Sequence, residues 1–192
     1  MKSFTQLTLA AAIIATLSGS AFAAPETFAI DATHTSARFS YSHFGYTKQL
    51  SRFDKTAGTI VIDKVAKTGS VDVTIDMKSV NTGYDVFNGH IQGADFFDTE
   101  KYPTATFKST KVNFDGDKPS TVEGNLTIKG VTKPATLTLS SFLMMPHPML
   151  KKNAIGANAT TVVKRTDFNA GKYAPYVGDE VTIEIAVEAI NQ

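Results

Sequence analysis

The sequence predicts an all-β, antiparallel fold, and three observations carry that expectation. Apolar and polar residues alternate with period two through almost everything after residue 27. Gly, Asp, Asn and Pro punctuate the alternating runs, as at Asp115-Gly116 and Gly178-Asp179. Most connections between runs are too short for crossover helices, so neighbouring strands must pair antiparallel. About eight or nine such runs point to a closed barrel or a sandwich, and closure has the advantage of removing exposed edges. The period alone does not separate the two architectures.

The runs follow in order. Ala37, Phe39, Tyr41 and His43 share one parity, with Arg38, Ser40 and Ser42 on the other. Gly58, Ile60 and Ile62 alternate with Thr59, Val61 and Asp63. The cleanest strand sets Val71, Val73, Ile75 and Met77 against Asp72, Thr74, Asp76 and Lys78. After a Tyr102-Pro103 break come Ala105-Phe107-Ser109, then Leu126-Ile128. That strand is expected to stop at Gly130 and resume after Pro134 with Ala135-Leu137-Leu139. The chain closes with Val181, Ile183, Ile185, Val187 and Ala189 against Thr182, Glu184 and Glu188. Strict alternation means one buried face and one wet face.

Two segments break the pattern. Within Thr82–Phe97, Phe87, Ile91 and Ala94 recur at helical spacing, with Thr82 and Asp85 arranged as a capping box. Asn88-Gly89 weakens this helix, since an interior glycine costs about 1 kcal/mol, so a short or broken helix covering one mouth of a barrel is expected. Asp95 and Asp98 are expected to cap and end it. The second segment, Ser141–Asn153, surrounds Pro146-His147-Pro148 with Met144, Met145 and Met149. Proline is excluded from central strands, which predicts a mobile apolar loop, packed on the barrel's outside or forming a flexible lip.

The amino terminus reads as a targeting segment. Lys2 supplies the positive charge, Leu7–Leu17 the apolar run, and Ala21-Phe22-Ala23 the small residues of a cleavage site after Ala23. The run is too short to favour a transmembrane anchor, the alternative reading. Residues 1–23 are therefore expected to be a cleaved signal peptide, and residues 24–192 a single domain. Lys2 is the only charged residue of that segment, and the chain as a whole carries 19 basic and 18 acidic side chains, so the remainder is neutral. Neutrality argues against nucleic acid as a partner. The absence of cysteine excludes disulfides, thiol chemistry, c-type haem attachment and a lipoprotein anchor. A soluble protein of the bacterial periplasm or exterior is expected.

Candidate chemistry is sparse. The four histidines, His34, His43, His90 and His147, include no pair at HxH or HxxxH spacing, so no metal site is predicted. His34 lies in a turn-like segment from Asp31 to Ser36 and is expected to hydrogen-bond nearby backbone. His43 shares the parity of Phe39 and Tyr41 and is expected to point inward. There is no Gly-x-Ser-x-Gly and no glycine-rich phosphate loop. Asp95 with Asp98 and Asp179 with Glu180 lack an acid/base pattern. Asn125-Leu-Thr127 and Asn158-Ala-Thr160 match a glycosylation pattern but read as strand residues. No catalysis and no cofactor are predicted.

An ordered series of motifs spans the chain after the targeting segment. It begins with Asp31-x-x-His34-x-Ser36-x-x-Phe39, His43-Phe44-Gly45-Tyr46, Arg52-Phe53 and Gly58-Thr59-Ile60. Ser79-Val80-Asn81-Thr82, His90-Ile91, Asp95-Phe96-Phe97-Asp98 and Tyr102-Pro103-x-x-x-Phe107-x-Ser109-Thr110 follow. Gly124-x-Leu126-Thr127-Ile128-x-Gly130-Val131-Thr132-Lys133-Pro134, Arg165-x-Asp167-Phe168 and Gly178-Asp179-x-Val181 close it. In this order and spacing the series resembles the YceI-like family of bacterial secreted proteins. The resemblance implies an antiparallel, eight-stranded, lipocalin-like barrel with one short helical segment, binding a polyisoprenoid, an isoprenoid quinone or another long-chain lipid in its lumen. Such a protein would act in lipid transport, storage or stress response, as a monomer or homodimer, with transient contact with a membrane or membrane proteins. Two departures stand out: the family's usual Arg-Asp pair just before the position of His90 is replaced by Phe87-Asn88-Gly89, and the segment 141–153 with its Met and Pro residues is atypical.

In such a barrel the alternation sends Phe39, Tyr41, His43, Ile60, Ile62, Val73, Ile75, Phe107, Leu126, Leu137, Leu139, Ile183 and Ile185 inward. These are the candidate ligand-binding residues. The polar end of a ligand is expected at a mouth near the helix and the 141–153 loop. Two rivals share the same pattern: an interaction protein whose inward side chains simply fill the barrel, and a lipid-modifying enzyme with His43 as its titratable group.

Overall fold

A computed structural model describes residues 24–192 and contains eleven strands and one α-helix. The strands are β1 (Glu26–Ile30), β2 (Ser36–His43), β3 (Thr47–Phe53), β4 (Thr56–Asp63), β5 (Thr68–Asp76), β6 (Val80–Asn81), β7 (Thr104–Asp115), β8 (Lys118–Ile128), β9 (Val131–Pro146), β10 (Asn153–Lys164) and β11 (Val177–Asn191). The helix α1 spans Asp85–Ile91, between β6 and β7. The expected signal peptide lies outside the described residues.

Eleven segments make eight continuous staves. β1 and β2 both lie antiparallel along β11, at Phe28–Ile30 and at Ala37–His43, interrupted only by the turn at 31–35. β3 and β4 likewise form one stave bent at Asp54-Lys55, pairing with β2 and β1 in turn. β5 and β6 form another, bent at a 3-10 turn over Met77–Ser79. β7 to β11 then follow as antiparallel neighbours. Because β11 pairs with β10 on one edge and with β1 and β2 on the other, the meander closes on itself. The expected eight-stranded antiparallel barrel is therefore the observed one, and the sandwich is excluded.

Alternating strand directions sort the connections to two ends. One end carries the turn at 44–46, the helix-containing segment 82–103, the turn at 129–130 and the segment 165–176. The other carries the turns at 64–67, 116–117 and 147–152.

Several local expectations are corrected. The short helix expected within 82–97 forms over one mouth and spans seven residues, but no capping box forms: the N-cap is Tyr84, without a side-chain cap bond. Thr82 is instead held by Asn88, whose Oδ1 accepts from the Thr82 amide and hydroxyl, both at 2.8 Å. The helix stops where the Gly93 amide turns back to the His90 carbonyl at 3.0 Å. Asp95 caps nothing and pairs with Lys172, while Asp98 adopts a positive φ of 51° within the following turns.

Strand β9 continues to Pro146, so only 147–152 is a turn, and it is organised rather than loose. His147 Nδ1 accepts from the Met149 and Leu150 amides, both at 3.2 Å. Strand β9 also begins at Val131 rather than after Pro134. The break is a two-residue hairpin at Lys129 and Gly130, both at positive φ. Pro134 faces Asn125 on a stretch that β10 does not reach, since β10 joins β9 only from Thr138 onward; an open edge accommodates a missing donor. Gly178-Asp179 is not a turn but a bulge inside β11, where Val177 faces His43 and Val181 faces Tyr41. The Asp115-Gly116 turn forms as expected, and Asn125 and Asn158 lie in strands.

His34 finds side chains rather than backbone. Its Nδ1 lies 2.8 Å from Asp31 Oδ2 and 3.1 Å from the Thr33 hydroxyl. The hydrogen bond to Asp31 raises the His34 pKa, and the same contact, with bonds from Thr33, holds Asp31 far below the usual carboxylate range. The Asp31 contribution to stability is present above its unfolded pKa and is lost only in strong acid. The His34 contribution is present below the ordinary histidine pKa and is lost as pH rises through the raised one. NMR titration of the wild type should place the His34 imidazole above the ordinary value, and Asp31→Asn should bring it back.

One glycine fixes packing at the wall. A Cβ on Gly124 would lie 2.5 Å from Phe107 Cζ and 2.6 Å from the Lys108 carbonyl oxygen, so the Phe107 ring lies across β8 where only hydrogen fits. Gly156 on β10 has open space at the same point. Gly124→Ala should destabilise by about 1–3 kcal/mol through overpacking, whereas Gly156→Ala should be neutral or stabilising by about 0.5 kcal/mol. Urea unfolding of the two variants checks both signs.

Candidate functional site

The barrel wall encloses a cavity of about 450 Å³. All thirteen residues predicted to face inward line it, from Phe39, Tyr41 and His43 on β2 to Ile183 and Ile185 on β11. The longer strands contribute alternate residues, because the pleat sends every second side chain inward. Side chains therefore do not fill this barrel, contrary to the filled-core expectation. Buried packing gathers around the void instead. Phe28, Ile60, Ile62, Ile155 and Ala189 cluster on one side, and Phe107, Val112, Val122, Leu126 and Phe168 on another.

One end of the cavity is roofed by residues outside the alternating pattern. Phe87, His90 and Ile91 of α1, together with Phe96 and Phe97 just after it, line the cavity. Phe97 stands edge-on to Phe39, with ring centroids 5.9 Å apart, and His90 stands edge-on to both Phe87 and Phe96. The segment 165–176 completes the roof. Phe96 and Tyr173 are 6.0 Å apart, Lys172 pairs with Asp95, and Lys129 Nζ donates to both the Ala94 carbonyl at 2.7 Å and the Asn169 carbonyl at 2.9 Å. One lysine thus bridges the two halves of the roof. The turn at 147–152 is at the opposite end, so the helix and the 141–153 segment do not share a mouth.

Like Arg38 on β2, Arg165 is another lining residue outside the alternating pattern. It opens the 3-10 turn Arg165–Phe168 after β10 and is only half-buried by the surrounding roof. Its Nε donates to the Gly178 carbonyl at 2.9 Å and its Nη2 to the Val177 carbonyl at 2.7 Å. Its Nη1 donates to the Ala170 and Lys172 carbonyls at 2.9 and 3.3 Å. The bulge in β11 is what presents two of those carbonyls. Burial pushes the Arg165 pKa down, opposed by Asp179 and Tyr41. Burial pushes the Tyr41 phenol up, and the Arg165 charge pulls it back. Burial also disfavours the Asp179 carboxylate, but bonds from the Thr166 amide and hydroxyl, at 2.9 and 2.8 Å, help hold its pKa below the usual range.

His43 is partly buried, lines the cavity and stands edge-on to Phe44 at 4.6 Å. No Asp or Glu lines the cavity with it. Among the described residues, no group of three or more His, Asp or Glu side chains could hold a metal ion. Thr56 also lines the cavity, and its buried hydroxyl has no hydrogen-bond partner. An orphan hydroxyl costs stability that an apolar isostere recovers. Thr56→Val should therefore raise stability by about 1 kcal/mol in urea unfolding.

Comparisons with known proteins agree with this geometry. Residues 28–189 match the YceI-like domain. The chain is 36% identical over 192 residues to Protein YceI of Escherichia coli O157:H7, covering all of this chain and 98% of that one. Among solved structures, Burkholderia cenocepacia BcnA superposes with a TM-score of 0.71 at 25% identity, covering 83% of this chain and 98% of that one. A polyisoprenoid binding domain from Saccharophagus degradans superposes with a TM-score of 0.64 at 20% identity, covering 86% and 98%, and shares the fold. With its closed eight-stranded barrel, its lined lumen and its family motifs in order, the chain belongs to the YceI-like family.

Proposed function

We propose that this protein binds a polyisoprenoid, an isoprenoid quinone or a similar long-chain amphiphile in its barrel lumen and carries or stores it in the periplasm, without chemically altering it. The observation that carries this reading is the cavity of about 450 Å³ behind an almost wholly apolar lining. By the scaling of stability with apolar cavity volume, side chains that leave such a space cost on the order of 10 kcal/mol. That is comparable to the stability of a whole domain. Hydrocarbon in the lumen restores the missing contacts, at roughly 0.8 kcal/mol per CH₂ relative to water.

The alternative source of ligand is a membrane, in which the tail is equally well solvated. Net transfer between the two is then close to neutral, which suits a carrier that must release as well as bind. The lining supports carriage over turnover, since His43 has no carboxylate beside it in the lumen. The sequence of residues 1–23 supports a periplasmic location. A role in stress response and transient contact with membranes or membrane proteins belong to the same reading, with the protein acting as a monomer or homodimer.

Organic extraction of the protein purified from its native periplasm, followed by mass spectrometry, tests the proposal. The expected result is about one long-chain lipid per barrel. A blank from native material, repeated after incubation with prenyl lipids, would overturn it.

A further inference from the structure

The large apolar side chains that stand exposed among the described residues divide by type between the two ends of the barrel. The aromatic ones are Phe44, Tyr46, Tyr84, Tyr173 and Tyr176, and all of them lie in the connections of the roofed end. Those in the turns of the far end, Val65, Met149 and Leu150, are aliphatic. A single exposed ring is ordinary, but rings gathered on one rim mark an interaction surface.

Contacts join these rings. Phe44 stacks on Tyr176 with centroids 6.4 Å apart, and the Phe44 amide donates to the Tyr176 carbonyl at 2.8 Å. Tyr173 lies 6.0 Å from Phe96, which leads through His90 to α1. Tyr84 is the N-cap of that helix, and exposed Val86 lies in its first turn. Tyr46 projects furthest, at 88% exposure.

Three features identify what this rim meets. Phe44 and Tyr173 are about half exposed, at 53% and 49%, yet both also line the lumen, so the same rings belong to the outer surface and to the cavity wall. Tyrosine has an apolar body and a polar tip, which suits the boundary between hydrocarbon and water. There a phenol keeps its hydrogen bonds to water and headgroups, whereas a dry protein interface would have to supply a partner for each one. Charge is balanced as well. The connections 44–46, 82–103, 129–130 and 165–176 together carry four basic and five acidic side chains. Nothing in that balance attracts an anionic surface, so attachment must come from inserted rings rather than from phosphate charge.

We propose that the aromatic rim of the roofed end is a membrane-docking surface, which seats the covered mouth of the lumen on a lipid bilayer by inserting Tyr46, Tyr84 and Tyr176 and has no preference for anionic lipid. This rests on the lipid-binding reading and adds to it the surface through which cargo is exchanged. Docked in this way, the roof faces the bilayer and the far end stays in water. A lipid leaving the membrane then passes the rings of Phe44 and Tyr173 on its way into the lumen.

The chain contains no tryptophan, so Tyr46→Trp places a single fluorescent reporter on the rim and Leu150→Trp places one at the far end. The mature protein is mixed with vesicles of phosphatidylcholine, with and without phosphatidylglycerol, and emission and co-sedimentation are read. Tyr46→Trp should shift to the blue on both vesicles, and Leu150→Trp on neither. Wild-type co-sedimentation should be equal for the two compositions and should persist in high salt. Tyr46→Ser combined with Tyr176→Ser should weaken it by about tenfold or more, with an unchanged urea midpoint, since both side chains are exposed. A wild type that ignores both vesicles, binding that requires phosphatidylglycerol and vanishes in salt, or a blue shift at Leu150→Trp instead would overturn the docking surface. So would self-association in analytical ultracentrifugation that the double variant abolishes, without vesicle binding, since the rim would then join copies of this chain. Organic extraction separates the two proposals: lipid in a barrel that ignores vesicles overturns docking alone, and docking by a barrel that never holds lipid overturns the lipid-binding reading alone.

Discussion

Strand β11 has β10 along one edge, while its other edge is divided between β2 and β1, and that divided edge is the seam on which the molecule depends. Without it the meander would be an open sheet with two exposed edges and one apolar face in water. With it, every second side chain of eight staves converges on one axis, and an apolar interior exists at all. The seam is also uneven. The extra residues of the bulge between Val177 and Val181 break the ladder beside the roofed end. The carbonyls freed there are the ones that Arg165 uses, so closing the barrel and building its most polar corner are one event.

The roof follows from the same constraint. A barrel of eight antiparallel staves leaves two ends, and each must be covered or left to water. At one end the connections are short turns. At the other, the chain spends 82–103 and 165–176 on covering the lumen, and the aromatic rings of Phe87, Phe96, Phe97 and Tyr173 extend the lining past the strands. Bending three staves, at 31–35, at Asp54-Lys55 and at Met77–Ser79, keeps the wall continuous beneath this cover. The Asp54 amide to the Ser79 carbonyl, at 3.1 Å, and the Lys55 amide to the Ser79 hydroxyl, at 3.0 Å, hold two of those bends together.

Much of this was legible in the sequence, and the residues show why. Val71 to Met77 and Val181 to Ala189 alternate β-branched and polar residues so strictly that strand and face could be read together. All thirteen inward residues came from such stretches. Strand β10 escaped notice because its inward positions include Ala157, Ala159 and Thr161, small or polar residues that carry little alternation signal. Strand β3 escaped because its exposed end, Thr47 to Leu50, has no buried face. Pro134 and Pro146 were read as breaks because the rule for proline presumes a strand bonded on both edges, and an open edge is a tertiary fact. The role of Arg165 was illegible for a deeper reason. Two of its four carbonyl partners lie 12 and 13 residues away on a bulge, and no local pattern encodes a bulge. His34 shows a milder failure, since its turn was foreseen but the partner was the Asp31 side chain rather than backbone.

Lys129 occupies the two-residue hairpin between β8 and β9, yet its amine reaches the carbonyls of Ala94 and Asn169 in the two covering segments. Together with the Lys172–Asp95 pair, it joins those segments to each other through residues outside the cavity lining. On the proposed lipid-binding reading, bonds made outside the lining cancel from the difference between loaded and unloaded states. They do not cancel from the barrier that must be crossed to uncover the lumen. On that reading residence time and equilibrium affinity come under separate control: the wall sets how tightly a lipid is held, and a lysine on a hairpin how long.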